Sequence, residues 1–301
     1  MSGTTERPVG LIGLGIMGSA MSANLIAAGF TVVGHDIAAP AMEAFARAGG
    51  RPARSAAEVA AQAEIVLTSL PSTAALHAVV EEIARAPGAC RILPETSTFP
   101  LEDKERARQA LEAAGVVMLD CPLSGSGSQA RVRDVLVYAS GPREAYDRCL
   151  PVFRGFSRAP HFLGAFGNGM KMKFVANLLV AVHTAAAGEA FALARKAGLD
   201  PAQMFEVVSD GAGGSRALQV RGRMLIEDRY LPVETMPLEL WRKDMRAIAD
   251  FASALACPTP MFSATVPLFN AAVASGLGDQ DTAAVCAVIE TMAGVRRPGA
   301  G

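Results

Sequence analysis

The chain has 301 residues, 51% of them hydrophobic, and a formal net charge of −1 at pH 7. That length predicts two domains with well-filled cores, and a balanced charge without a basic stripe argues against a nucleic-acid partner. Five cysteines (Cys90, Cys121, Cys149, Cys257 and Cys286) without CxxC spacing read as reduced thiols, neither a disulfide frame nor a zinc site. The first ten residues hold no apolar core of a signal peptide. The most apolar run, residues 174–188, is shorter than the ~18 residues of a membrane span and contains His183. A cytoplasmic protein with no membrane partner is the expectation.

In chain order, short apolar runs predict strands at residues 8–12, 31–35, 65–70, 90–94, 116–120, 134–139 and 161–163. Helical patterns fall between the early ones, at 17–28, 40–48 and 73–85. Such alternation predicts βαβ units and a mostly parallel sheet covered by helices. Beyond about residue 164 the texture turns helical. Residues 168–197 form one long proline-free stretch ended by Gly198, followed by helical patterns at 201–209, 238–256, 261–274 and 279–293. The expected division is an α/β domain over residues 1–165 and an all-helical domain over 166–301.

The first predicted strand runs into Gly13-Leu14-Gly15-Ile16-Met17-Gly18, which opens a predicted helix. The three glycines of such a GxGxxG serve a tight turn, backbone approach to a pyrophosphate and close helix–strand packing, and the helix N-terminus favours the phosphates. Asp36, at the end of the second strand, is placed to accept hydrogen bonds from the adenine ribose. A carboxylate there repels a 2′-phosphate, and no arginine follows before Ala46, so NAD is expected over NADP, with NADP still possible.

Two later segments carry chemistry. Asp120-Cys121-Pro122-Leu123-Ser124-Gly125-Ser126-Gly127 is a run of small, flexible residues able to offer amides and hydroxyls to a carboxylate. Its plain alternative is a flexible connection. Lys173 and Asn177 share one face of the long helix, whereas Lys171 points elsewhere. On composition alone, a helical lysine is an ordinary surface charge. His35, His77, His161 and His183 have no metal-ligand spacing, and no metal is expected.

These motifs, in this order, resemble the β-hydroxyacid dehydrogenases. Gly10 to Gly18, with Met21, Asn24-Leu25 and Gly29, is similar to that family's opening cofactor signature. Leu70-Pro71-Ser72 and Ser97-Thr98 resemble its two later cofactor loops, and Asp120 to Gly127 its substrate loop. Gly167 to Asn177 resembles the segment with the catalytic lysine, Lys243-Asp244 a late pair near the nicotinamide, and residues 276–281 a C-terminal signature.

The resemblance implies a Rossmann-type, doubly wound sheet followed by an all-helical C-terminal domain. It implies an NAD(P)-dependent oxidoreductase for a small β-hydroxy acid or its semialdehyde, with Lys173 as general acid/base. Asn177 is then expected to bind substrate or orient Lys173. Ser124, Gly125 and Ser126 are expected to hold the substrate carboxylate. Gly13 to Gly18, Asp36, Leu70, Pro71, Ser72, Thr98 and Lys243 are expected to contact cofactor, with Asp244 positioning Lys243. Two departures stand out: Ser126 replaces a usual glycine, which suggests a more polar substrate, and Arg216 stands in a predicted loop where an aromatic residue is common. Apolar residues on more than one face of the long helix predict a homodimer or homotetramer. The alternatives are a non-catalytic nucleotide-binding protein on the same fold, disfavoured by an ionisable group at Lys173, and an imine reductase.

Overall fold

A computed structural model describes residues 8–295. It contains two compact units divided between Lys173 and Phe174. In the first, six strands form one parallel sheet: β1 (Val9–Ile12), β2 (Val32–His35), β3 (Arg51–Pro52), β4 (Ile65–Thr68), β5 (Ile92–Glu95) and β6 (Val117–Asp120). Their order is β3-β2-β1-β4-β5-β6. The chain therefore leaves β1 in one direction for β2 and returns to its other side at β4. That reversal is the crevice where doubly wound sheets take ligands.

All four residues of β1 are buried. Alternate side chains feed two cores: Val9 and Leu11 pack with Leu25, Val152 and Phe153, while Ile12 packs with Val59, Val66 and Leu76. A strand covered on both faces reads as a continuous apolar run, which made β1 visible in the sequence. The helices on the sheet are α1 (Ile16–Ala27), α2 (Ala39–Arg47), α3 (Ala56–Gln62), α4 (Thr73–Arg85) and α5 (Leu101–Ala113). Burial pushes the Cys90 and Cys149 thiols up to about 12, keeping both as neutral core residues.

Beyond β6, β7 (Leu123–Ser124), β8 (Leu136–Ala139) and β9 (Ala159–Phe162) form a small mixed sheet, accompanied by α6 (Gly127–Arg131) and α7 (Arg143–Phe156). The two-residue strands β3 and β7 and the short helices α3 and α6 offer too few residues to show a period, and α5 is mostly charged. Helix α7 does bury Tyr146, Cys149, Val152, Phe153 and Phe156 at helical spacing, but Pro151 inside it disguises the helix.

Helix α8 (Asn168–Lys196) is followed in the second unit by α9 (Pro201–Asp210), α10 (Arg216–Glu227), α11 (Leu238–Ala254), α12 (Pro260–Ala272) and α13 (Val285–Met292). Ser215 caps α10 by accepting the Leu218 N–H, so Arg216 begins a helix and not the predicted loop; it is exposed. The pattern at 279–293 also divides. Asp281 caps a short turn, Thr282–Ala284, before α13 begins.

Contrary to the expectation from residues 174–188, α8 is long and apolar enough to cross a membrane by length and composition. Part of its apolar surface is, however, used in packing. Phe174 lies 5.0 Å from Phe251, ring to ring, and a Cβ at Gly188 would come within 2.9 Å of Ile289 and 3.2 Å of the Cys286 backbone.

Candidate functional site

The glycine loop joins β1 to α1. Gly13 has φ +89°, and a Cβ there would sit 2.1 Å from the Ser69 carbonyl oxygen. A Cβ at Gly18 would sit 1.9 Å from the Gly13 oxygen. These two glycines satisfy the fold itself, a tight turn and a close helix approach. Gly15 differs: a Cβ there meets nothing within 4 Å. Open space before an uncapped helix start fits a pyrophosphate approached by backbone amides. Asp36 faces this loop, its Oδ2 accepting the Leu14 N–H at 2.6 Å and its Oδ1 the Ala38 N–H at 2.8 Å. Beside it Ile37 is 98% exposed, an apolar side chain left in solvent that composition does not reveal.

The two later cofactor loops are tied to each other. The Leu70 N–H donates to Ser97 Oγ at 2.8 Å, and the Ser97 N–H donates to Glu95 Oε1 at 2.8 Å. Ser72 is also the N-cap of α4, accepting from the Ala75 amide. Thr98 is half-buried and Pro71 exposed.

Asp120 ends β6 and begins the predicted substrate loop. Ser124 is half-buried and pairs with Leu136 across the small sheet. Gly125 adopts φ +144°, and a Cβ there would press 2.7 Å from Val135 Cγ1, so any side chain at this position is strained. Ser126 caps α6 in a capping box: its hydroxyl accepts the Gln129 N–H, and its own N–H donates to the Gln129 side chain. Its hydroxyl also meets Ser128 Oγ at 2.8 Å. The hydroxyl that departs from the usual glycine thus also serves its own loop.

Lys173 and Asn177 are both buried, at 8% and 5% exposure, while Lys171, two residues before Lys173, is exposed. In the second unit, Asn177 Nδ2 donates to Asp244 Oδ2 at 3.1 Å, and Asp244 is itself buried. Lys243 is exposed beside the buried Asp244, and Asp244 also holds Asn177. His77 pairs with Asp103, and His35 Nδ1 meets the Ala53 carbonyl. Among the described residues no group of three or more His, Cys, Asp or Glu side chains could hold a metal.

Sequence reading missed a charged cluster beneath these loops. Lys104 is fully buried, with Nζ 2.8 Å from Glu95 Oε2 and 2.6 Å from Asp120 Oδ1. Burial works to lower the Lys104 pKa, but Asp120 and Glu95 outweigh it, and the net direction is up. Glu95 as an acid inside an apolar strand was the one visible signal. Lys104 hides in the charged sequence of α5.

The sheet order and glycine loop define a dinucleotide-dependent dehydrogenase. Residues 8–167 match the model for the NAD binding domain of 6-phosphogluconate dehydrogenase, and residues 167–289 that for the NAD-binding of NADP-dependent 3-hydroxyisobutyrate dehydrogenase. The chain is 32% identical to L-threonate dehydrogenase of Cupriavidus necator over 300 residues, 98% of this chain and 99% of that one. It is 30% identical to 2-hydroxy-3-oxopropionate reductase of Escherichia coli K12 over 297 residues, 95% of this chain and 98% of the other. The crystal structure of 3-hydroxyisobutyrate dehydrogenase from Salmonella typhimurium superposes with a TM-score of 0.83 at 29% identity, covering 94% of this chain and all of that one. The chain belongs to the 3-hydroxyisobutyrate dehydrogenase, or β-hydroxyacid dehydrogenase, family, the NAD(P)-dependent oxidoreductases of small hydroxy acids and semialdehydes.

Proposed function

We propose that Lys173 is the general acid/base for hydride transfer between NAD, preferred over NADP, and a small polar β-hydroxy acid or its semialdehyde. The observation that carries this reading is a lysine withdrawn from water one helical turn from a buried asparagine that Asp244 holds in place. A solvated surface charge has no such setting. The bound nicotinamide supplies or accepts the hydride. In reduction Lys173 Nζ gives its proton to the carbonyl oxygen, and in oxidation it takes the hydroxyl proton. Asn177 holds the substrate oxygen in line with Lys173. Ser124 and the Gly125 amide bind the substrate carboxylate, and Ser126 contributes by capping the helix that shapes the loop.

Gly13 to Gly18 receive the pyrophosphate, and Leu70, Pro71, Ser72, Thr98 and Lys243 border the cofactor. Asp36, oriented by the Leu14 and Ala38 amides, retains lone pairs for ribose hydroxyls and repels a 2′-phosphate. A cofactor domain over 1–165, a helical domain over 166–301 and a cytoplasmic location complete the reading. A homodimer or homotetramer is supported by Val175, Leu179 and Leu193, exposed on α8 at 54%, 47% and 71%. L-Threonate heads the candidate substrates because the Cupriavidus necator relative is named for it.

The test follows nicotinamide absorbance with L-threonate, glycerate, 3-hydroxyisobutyrate, 4-hydroxybutyrate, serine, glyoxylate and the matching semialdehydes, each with NAD and NADP. One compound should turn over, with Lys173→Ala reducing kcat by roughly 10²–10⁴-fold. Undiminished turnover in the variant sinks the role of Lys173. A preference for NADP rejects only the reading of Asp36.

A further inference from the structure

The first turn of α8, which leads to Lys173, has its free amides satisfied from elsewhere in the first unit. The Asn168 N–H donates to the Ala165 carbonyl, the Gly169 N–H to Ser140 Oγ at 2.9 Å, and the Met170 N–H to Asp120 Oδ2 at 2.8 Å. Ser140 in turn donates towards Asp120. A helix start is thus capped by a carboxylate fifty residues upstream, which complements the positive end of the helix dipole. The approach is close: a Cβ at Gly169 would stand 2.3 Å from the Tyr138 carbonyl oxygen and 2.9 Å from Asp120 Oδ2.

Asp120 divides its two oxygens. Oδ2 faces α8, and Oδ1 takes Lys104 Nζ at 2.6 Å. Lys104 also pairs with Glu95, whose second oxygen accepts the Ser97 amide, and Ser97 Oγ receives the Leu70 amide. A continuous polar chain thus runs from the two later cofactor loops through Glu95, Lys104 and Asp120 to the first turn of α8, one turn before Lys173. Asp120 also roots the 120–127 loop. Three buried charges are held here with every one paired, whereas a hydrophobic trio in the same volume would pack without that demand.

We propose that Glu95, Lys104, Asp120 and Ser140 are positioning residues that fix the Lys173 ammonium relative to the cofactor and substrate loops. The proposal rests on Lys173 being the proton donor. Proton transfer during hydride transfer tolerates little misplacement, so loosening the turn should lower kcat with little effect on cofactor affinity.

Ser140→Ala removes one link and leaves every ion pair of the cluster in place. With the compound of the panel that turns over fastest, its kcat should fall about tenfold while NADH affinity, read by fluorescence, stays within about twofold. Asp120→Asn should lower kcat further. In a Lys173→Ala background the Ser140 substitution should leave the residual turnover unchanged, because the group it positions is gone. Equal losses with and without Lys173 overturn the proposal, as does wild-type kcat in both Ser140→Ala and Asp120→Asn. Lys173→Ala alone reports separately on the proton donor. A large loss there with no effect at Ser140 and Asp120 keeps that reading and rejects the positioning network.

Discussion

In the first unit the candidate positions sit at strand ends and in short turns: Gly13 follows β1, Asp36 follows β2, Ser97 follows β5, and Asp120 closes β6. In the second, Asn177 and Asp244 lie within long helices and hold each other by side chains. The first unit stiffens its turns from beneath with a buried ion cluster. The second relies on close packing between helices, as where Gly222 of α10 meets the ring of Phe205 of α9. A site built on backbone tolerates few residue types at each turn. One built on helix side chains depends on how tightly neighbouring helices pack.

The sharpest way to break this contrast is Lys104→Met, which leaves Glu95 and Asp120 buried without their cation. It should destabilise the protein by about 3–5 kcal/mol in urea unfolding, and a loss below 1 kcal/mol would mean the cluster contributes no rigidity. The pKa of Lys104 is raised in the folded state, so its stabilising effect is complete below the ordinary lysine range. That effect is lost only as pH climbs through the raised value, and the gap between wild type and variant should hold constant from about pH 7 to 9.

Packing in the second unit is probed by Gly222→Ala, whose Cβ would come 1.9 Å from the Phe205 ring. A cost of about 1–3 kcal/mol is expected in thermal unfolding, with cofactor affinity unchanged. A smaller effect falls at Ser126→Ala, which removes a cap from α6. It should reduce stability by about 1 kcal/mol and leave substrate KM within twofold, and a large KM change would restore Ser126 to the substrate.

Much of the first unit was legible because its requirements are local. The glycines at 13, 15 and 18 and the acid at Asp36 each announce a backbone geometry within a few residues of their strand. Lys104 was not legible, because its meaning lies in Glu95 and Asp120, on two different strands, while its own helix reads as a charged surface. The bond from Asn177 to Asp244 was hidden in the same way, because it joins residues 67 positions apart. Ser126 was legible as a departure yet not in its effect, since the capping box depends on Gln129 being turned towards it. The short strands β3 and β7 arise from pairing with longer neighbours, which no two-residue pattern can signal.

The capping of α8 also bears on how the chain acquires its shape during synthesis. Domains fold as the ribosome releases them, N-terminus first, at about 5–20 residues per second. Asp120 and Ser140, which receive the Met170 and Gly169 amides, both precede the helix they cap. These two amides therefore have acceptors made before them. Once the upstream strands have paired, the amides of Gly169 and Met170 meet acceptors already in place, and α8 can grow from an anchored start.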